Sequence, residues 1–294
     1  MQEPQSIPIY GPDNELVASR PQSASSGRAW AGSALWVWIC LAALIGVGAY
    51  LRLAKLGHLG IHQDEDLSSL AVRAILQKGI PELPSGMVYL RGGPFLYAMA
   101  ASAKLFGFDE FALRLPAALF GIAMIPLGYV FGRALFGVRV GLVVAALLAI
   151  SMWDIEFSRY ARMYAAFSFF YVLTIWCIWK FRVRSESLAG GMLCVLLATL
   201  TISLHQLGYT LAAAMFFPLI LRGPGEWLKP RRLAFPICAA LLIAAFFFAW
   251  GAVLDHLRML PFSAPGVLAP AGRFADAAEI TTGLPQLALL PNWL

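Results

Sequence analysis

The sequence has few charged residues. Only 13% of its 294 residues are Asp, Glu, Lys or Arg, whereas 60% are hydrophobic. A typical soluble domain is about a quarter charged and about half apolar. The shortage excludes an ordinary soluble domain and predicts an all-α polytopic membrane protein. The net charge of +6 is typical of basic cytoplasmic loops, so we expect a membrane and no nucleic acid as a partner.

Cysteine is also scarce. The four cysteines, Cys40, Cys177, Cys194 and Cys238, all lie inside apolar runs and show no metal-ligand spacing. The pattern argues against a disulfide framework and against a cysteine-ligated metal. We interpret the four thiols as small packing residues.

The amino-terminal segment lacks apolar periodicity. Residues 1–29 are mostly polar and contain Pro, Ser and Gln, a composition typical of a disordered tail. The first apolar run starts near Trp30 and is long enough to span a membrane, unlike a signal peptide. We predict that residues 1–29 form a disordered cytoplasmic tail.

Long apolar runs make up most of the remaining chain. A helix that crosses a bilayer core needs about 20 apolar residues, with a range of about 17–25. The sequence predicts a transmembrane bundle of about seven spans over residues 30–254, an external loop at 51–110 and an external segment at 255–294. The predicted spans are Trp30–Tyr50, Phe111–Phe131, Val140–Trp153, Ala161–Trp179, Leu188–Leu204, Gly208–Leu221 and Leu233–Leu254.

Basic connections assign the sides of the membrane. The connections FGRALFGVR, KFRVRSES and LRGPGEWLKPRRL are all basic and belong in the cytoplasm by the positive-inside rule. All three can do so only if the apolar run Gly93–Phe106 does not cross. We therefore predict that this run lies parallel to the membrane or re-enters it as a short helix. The external loop, the Trp153–Tyr160 junction and the Ser203–Gln206 turn then share the outer face.

The first outer cluster is HQDED, which contains Asp64, Glu65 and Asp66. An amphipathic helix is predicted from Asp64 onwards. Its apolar face is formed by residues at helical spacing: Leu67, Leu70, Ala71, Ala74 and Ile75. Acids in a first helical turn offset the positive end of the helix dipole. Adjacent carboxylates also repel, which raises a pKa and favours a proton acceptor working near neutrality. His62 is close enough in sequence to make a divalent metal site a further alternative.

The second outer cluster is SMWDIEFSRYARMY, with Asp154, Glu156, Arg159, Arg162 and Tyr164. The spacing of Arg159 and Arg162 predicts that they share a helical face. Paired guanidinium groups bind phosphate oxygens bidentately. The alternative is an interfacial belt, in which Arg extends to the headgroups and aromatic rings lie at headgroup depth.

His205 lies at the outer tip of a predicted hairpin, in TISLHQLGYT. A single histidine in a turn is usually structural. It becomes a functional candidate because it is predicted to lie on the same side as both acidic clusters.

The order of these stretches resembles the GT-C membrane glycosyltransferases, in particular the family-39-like group. That group includes the protein O-mannosyltransferases and the aminoarabinose lipid A transferases. The resemblance covers roughly residues 30–209 and rests on HQDEDLSSLAVRAIL, GGPFLYAMAASAKLFGFDEFALRLPAALFGI, YVFGRALFGVRVGLVVAALLAIS and SRYARMYAAFSFF in that order.

This resemblance implies transfer of a sugar from a polyprenyl-phosphate donor to a lipid, glycan or protein acceptor, with the active site on the outer face of a bacterial inner membrane. It implies that Asp64 is the catalytic carboxylate and Glu65 its neighbour. Arg159, Arg162 and Tyr164 would bind the donor phosphate. Supporting acids would be Asp66, Asp154 and Glu156, and a divalent metal ion would have His62 or His205 as ligands.

Two other classes stay open. A transporter or lipid-flipping protein would carry ionisable residues deep in several spans, whereas the charges here collect at one face and no internal repeat is visible. A non-catalytic carrier-binding subunit is the other alternative. Members of the group usually have eleven or more spans, so we expect this chain to be truncated, a fragment or a short relative of them. In the first two cases the segment 255–294 would begin a missing C-terminal part.

Overall fold

The computed structural model of the chain describes residues 9–10, 16–17, 26–58, 60–61, 63–184, 187–220, 235–246 and 248. The predicted external segment at 255–294 lies outside these residues. Among the described residues nearly all are helical, which confirms the predicted all-α class. A short antiparallel ribbon pairs β1 (Ile9–Tyr10) with β2 (Leu16–Val17). The segment predicted to be a disordered tail therefore has some regular structure in its described part.

The helices follow one another with short connections. They are α1 (Ser26–Leu53), α2 (Gln63–Lys78), α3 (Gly93–Phe106), α4 (Glu110–Phe136), α5 (Val138–Ile150), α6 (Met152–Ser158), α7 (Tyr164–Ile178), α8 (Leu188–Leu204), α9 (Thr210–Ala214), α10 (Phe217–Ile220) and α11 (Phe235–Phe246). A π-helical turn, Trp179–Arg184, extends α7, and a 3₁₀ turn, Gln206–Tyr209, precedes α9.

Three helices in the described part of the chain are long and apolar enough to cross a membrane: α1, α4 and α7 with its extension. Helices α5 and α6 would form a fourth, although they are bent by 57° relative to each other. Ser151 causes the break, because it ends α5 and its Oγ accepts a hydrogen bond from the backbone N–H of Asp154 at 3.4 Å. A serine in this position starts a new helix.

The predicted span Gly208–Leu221 is wrong as a single helix. The 3₁₀ turn, α9 and α10 divide this segment into short pieces. Pro218 gives a physical reason, because it lacks an N–H and its ring clashes with the carbonyl four residues earlier, at the end of α9. Helices α8 and α11 are apolar but shorter than the three long helices, and the 17 residues of α8 are at the lower limit for a span. Length and composition support three or four spans in the described residues, and the total of about seven stays a prediction.

Helix α4 packs against α1, α3, α5, α6 and α7 and is the centre of the bundle. Helix α3 has the predicted bounds, and its 14 residues extend over about 21 Å, less than the roughly 30 Å of a bilayer core. It buries Phe95, Leu96 and Met99 in a cluster that also contains residues of α2, α4 and α7. This cluster holds together the elements that carry the candidate site.

Candidate functional site

The three acids of the first outer cluster open helix α2, as the sequence predicts. Asp64 lies in the first turn of α2, but its side chain is outside the described part, as is the whole of His62. Asp66 is exposed, whereas Glu65 is buried with 0% of its surface accessible. The acids therefore have different environments although they are adjacent in sequence.

Glu65 forms a buried ion pair with Arg114 of α4. Arg114 Nε donates to Glu65 Oε1 at 2.9 Å, and Nη2 donates to Oε2 at 2.6 Å. The backbone N–H of Ala161 also donates to Oε1, at 2.6 Å. A bidentate pair of this kind fixes geometry as well as charge. The carboxylate therefore connects α2, α4 and the junction before α7.

Arg114 also holds the connection between α1 and α2. Its Nη1 donates to the carbonyl oxygen of Leu56 at 3.1 Å, and its Nη2 donates to that of Gly60 at 2.8 Å. The chain leading into α2 is thus fixed on both sides of the ion pair. This arrangement limits the positions that the backbone of Asp64 can take.

The ion pair also decides which side of α2 is buried. Of the residues predicted to form the apolar face, Ala71, Ala74 and Ile75 are buried, whereas Leu67 and Leu70 are 45% and 39% exposed. Ser68 and Val72 are buried as well. Glu65, Ser68 and Val72 lie on one helical side at i, i+3 and i+7. With Glu65 turned towards Arg114, Ser68 lies on the same buried side of α2 as Ala71, Ala74 and Ile75. The predicted apolar face is therefore confirmed for these three residues and wrong for Leu67 and Leu70.

Arg162 brings the second outer cluster into contact with the first. It is buried, and its Nη1 donates to the Tyr89 hydroxyl at 3.1 Å and to Ser68 Oγ at 3.5 Å. Its guanidinium carbon lies 5.8 Å from the centroid of the Tyr164 ring. Two stretches that are more than ninety residues apart in sequence therefore meet at one place.

Arg159 does not share a helical face with Arg162, contrary to the prediction. Helix α6 ends at Ser158 and α7 begins at Tyr164, so helical spacing does not apply between the two arginines. Arg159 Nη1 donates to the carbonyl oxygens of Leu51 and Ala54 at 3.0 and 2.8 Å. Its guanidinium therefore satisfies carbonyl groups at the carboxyl end of α1, where a cation is favoured.

Asp154 pairs with Arg52 of α1, whose side chain is 0% exposed. Arg52 also donates to the carbonyl oxygens of Leu148 at 2.9 Å and Ala149 at 3.2 Å, near the end of α5. The pair ties α1 to the bend between α5 and α6. Asp154 therefore has a contact that stabilises the bundle.

Glu156 is exposed and accepts a hydrogen bond from the Tyr160 hydroxyl at 3.2 Å. Burial raises the pKa of Tyr160, and the bond to the Glu156 carboxylate raises that pKa further. Tyr160 consequently stays protonated as a hydrogen-bond donor at neutral pH.

A cavity of about 490 Å³ lies next to the two clusters. Its lining residues come from the loop before α3 and from the end of α8 with the following turn: Leu90, Arg91, Gly92, Ile202, Ser203, Leu204, His205, Gln206 and Tyr209. The His205 ring centroid is 5.1 Å from that of Phe167 and 6.0 Å from that of Tyr164. Because Tyr164 also contacts Arg162, the cavity and the acidic helix end are parts of one region.

His205 has a defined local hydrogen bond. Its Nδ1 accepts from the backbone N–H of Leu207 at 3.2 Å. Burial lowers the pKa of His205, and the positive charge of Arg91 lowers that pKa further. The imidazole is therefore neutral at physiological pH.

The described residues do not fit the metal ion that the resemblance implies. No three His, Cys, Asp or Glu side chains come together as ligands within the part of the chain that the structure describes. The neighbours of His205 are Arg91 and aromatic rings, and a cation disfavours a second cation. A metal held by His62 and Asp64 stays a prediction, because those side chains lie outside the described residues.

Sequence reasoning missed Arg52, Arg114 and Arg91. Arg114 had a usable signal, because it is a charge inside the apolar run FALRLPAALFGI and a charge in such a run needs a specific partner. Arg52 follows the first predicted span directly, where a charge looks like an ordinary end of a helix. Arg91 had no comparable signal, since loop arginines are common.

Comparison with known proteins supports the fold. A family model described as dolichyl-phosphate-mannose-protein mannosyltransferase matches residues 94–250. The chain is 27% identical over 166 residues to an uncharacterized protein of Aquifex aeolicus (strain VF5). The aligned residues make up 55% of this chain and 33% of that relative. It spans about a third of the length of this curated relative.

Two solved structures are similar to the chain. The crystal structure of ArnT from Cupriavidus metallidurans bound to undecaprenyl phosphate matches with a TM-score of 0.58 and 20% identity. The matched region covers 78% of this chain and 43% of the ArnT chain. ArnT in the apo state has a TM-score of 0.59 and 18% identity, and covers 86% of this chain and 48% of ArnT. This similarity confirms the predicted GT-C-type helical bundle of an integral membrane protein.

The family model covers more than half of the chain, including nearly all of α3, the whole of α4 to α8 and the two residues that bind Glu65. It includes the cavity-lining residues from Ile202 to Tyr209 and begins just after the lining residues Leu90, Arg91 and Gly92. The order of motifs in the sequence and the arrangement of helices agree with this match. The chain therefore belongs to the dolichyl-phosphate-mannose-protein mannosyltransferase family.

Proposed function

We propose that this protein transfers a sugar from a polyprenyl-phosphate donor to an acceptor on the outer face of a bacterial inner membrane. One observation carries the proposal: the acidic start of α2 and the arginine-containing junction before α7 meet, through the contacts of Glu65 with Ala161 and of Arg162 with Ser68. They do so in a fold similar to that of ArnT, which was crystallised with undecaprenyl phosphate. The donor is argued from family and fold, and the acceptor, a lipid, glycan or protein, is argued from the resemblance alone.

Asp64 is the proposed general base. It would take the proton of the acceptor hydroxyl while the acceptor oxygen bonds to the anomeric carbon of the sugar and the bond from that carbon to the donor phosphate breaks. The leaving group is the polyprenyl phosphate, which departs with the bonding electron pair. Glu65 is less suited to this role, because both of its oxygens accept hydrogen bonds from Arg114.

Glu65 is instead the proposed positioning residue for Asp64. Its ion pair fixes the first turn of α2 against α4 and the junction before α7. Catalytic groups must be held within a fraction of an ångström by their neighbours to act efficiently. A rigid first turn therefore supports the adjacent carboxylate.

Arg162 and Tyr164 are the proposed residues for the departing phosphate. Arg162 is a buried cation that contacts Ser68 of α2 and the ring of Tyr164, which in turn lies beside His205. A buried charge acts strongly on nearby anions because the local dielectric is low. Arg159 is proposed to position α1 through its carbonyl contacts. Asp154 and Glu156 are proposed to support the junction through Arg52 and Tyr160.

The proposal can be tested with the purified protein in lipid nanodiscs and a set of polyprenyl-phosphate sugars. Donor consumption should require an acceptor and should fall by at least about a hundredfold in the Asp64→Asn variant, as expected for loss of a general base. Helix content should be unchanged, because Asn keeps the size of the side chain. The loss of one carboxylate from the first turn should cost less than about 1 kcal/mol of stability.

Glu82→Gln is the matched control. Glu82 pairs with Lys78 at the other end of α2, so the same loss of a carboxylate should leave donor consumption unchanged. Full activity of the Asp64→Asn variant would rule out the base. Binding of donors without any turnover would instead favour a carrier-binding subunit.

A further inference from the structure

The hydrogen bond of His205 determines the position of its ring proton. Nδ1 accepts the N–H of Leu207, so this nitrogen is unprotonated and the proton of the neutral ring is on Nε2. A histidine that binds a metal offers an unprotonated nitrogen to the ion and donates through the other one. In His205 the unprotonated nitrogen is already used by its own backbone turn.

The charged residue that lines the cavity around His205 is an arginine. Arg91 lines the cavity. In the described part of the chain its side chain has no hydrogen-bond or ion-pair partner. Helix α3 begins two residues after Arg91, at Gly93, with no acidic residue in its first turn. The positive end of the helix dipole adds to the arginine charge. These charges repel a divalent cation and attract an anion.

The Nε2 side of His205 is available to a ligand. The imidazole accepts a hydrogen bond from Leu207 and lies beside the rings of Tyr164 and Phe167. His205 also lines the cavity. Within the described residues no protein acceptor occupies Nε2. A donor group beside an uncompensated arginine matches a phosphate oxygen better than a metal ion.

We propose that His205 donates a hydrogen bond from Nε2–H to a phosphate oxygen in this cavity, and that His205 holds no divalent metal. The inference deepens the proposed function, because the phosphate would be that of the polyprenyl carrier. A free phosphate has the same chemistry, so both sources are included in the test.

The first part of the test measures the tautomer of His205 and its metal content in the protein without donor. In ¹⁵N-histidine-labelled protein, His205 should show a protonated Nε2 and an unprotonated Nδ1, assigned by loss of its signals in the His205→Phe variant. Metal analysis after incubation with Zn²⁺ or Mn²⁺ and washing should give the same metal content for the wild type and His205→Phe. One equivalent of metal that disappears with His205 would overturn the inference.

The second part of the test measures phosphate binding. Undecaprenyl phosphate and inorganic phosphate are titrated separately into nanodisc-embedded protein. The His205→Phe change keeps a ring beside Tyr164 and Phe167 but removes the donor, and His205→Asn keeps an acceptor for the Leu207 N–H but removes Nε2. Each should weaken phosphate binding by about ten-fold or more, the effect of losing a hydrogen bond to a charged group.

His58→Asn is the control, because His58 is an exposed histidine after α1 and its replacement should change nothing. Weakening with both ligands would show that the site takes the phosphate group itself. Weakening with undecaprenyl phosphate alone would show that the phosphate must be lipid-linked. Unchanged binding of both ligands by the His205 variants would refute the proposal.

The two tests separate this inference from the transferase proposal. Tautomer, metal content and phosphate binding are measured without turnover, so an inactive protein can still support the role of His205. A metal bound at His205 would refute this role and leave the transferase proposal standing.

Discussion

Loss of either member of the ion pair between Glu65 and Arg114 should strongly destabilise the described bundle. The Glu65 side chain is 1% exposed and that of Arg114 is 6% exposed. Removing one member of a buried pair leaves the other charge uncompensated and costs about 3–5 kcal/mol. We expect Glu65→Ala and Arg114→Ala each to reduce the free energy of unfolding by this amount.

The free energy of unfolding is measured by reversible unfolding of the purified protein in mixed micelles, with helix content as the monitored signal. A double variant, Glu65→Met with Arg114→Met, replaces the pair by apolar side chains and should be more stable than either alanine variant, since no buried charge is left unpaired. The exposed pair of Lys78 and Glu82 is the comparison, and its loss should cost less than about 0.5 kcal/mol.

Two results would refute the reasoning on this pair. If each alanine variant lost less than about 1 kcal/mol, the carboxylate would not be buried in solution. If the losses of Glu65→Ala and Arg114→Ala simply added in the double alanine variant, the two residues would not interact.

Two further predictions concern packing and topology. Gly141→Ala should destabilise the bundle by about 1–3 kcal/mol, because a Cβ there would lie 2.8 Å from the carbonyl oxygen of Tyr129 across the contact of α4 and α5. A Cβ at Gly46 would have no atom within 4 Å, so Gly46→Ala should be neutral or stabilising by up to about 1 kcal/mol. Both variants are measured by the same unfolding assay. Equal losses of stability in Gly141→Ala and Gly46→Ala would contradict the close approach of α4 and α5 at Gly141. In a cysteine-free background, Met87→Cys should react with an impermeant maleimide from outside the cell, whereas Phe136→Cys should react only after the membrane is opened. The reverse labelling pattern would place the candidate site on the cytoplasmic side.

Several elements could be predicted from local sequence. The bounds of α3 agree with the sequence, because Gly93 with Pro94 starts a helix and Gly107 ends it. The start of α2 at the three acids was also predictable, since acids stabilise a first turn. The division of Gly208–Leu221 was not recognised, although Pro218 is a local signal that a continuous apolar run obscured.

The roles of individual charged residues could not be predicted in the same way. Arg159 and Arg162 looked equivalent under helical spacing, but the chain leaves the helix between them. One guanidinium then reaches α1 and the other reaches α2. Which carbonyl or hydroxyl a long side chain meets depends on neighbours that are distant in sequence.

The sequence by itself determined that this is a helical membrane protein with polar clusters between its apolar runs, because composition and periodicity are local properties that water and lipid select directly. Only the tertiary structure decided that Glu65 is tied to Arg114, 49 residues away, and that the cavity of His205 adjoins the acidic helix. A buried charge must find a partner, but the partner is chosen by how the helices pack, and packing depends on the whole chain at once.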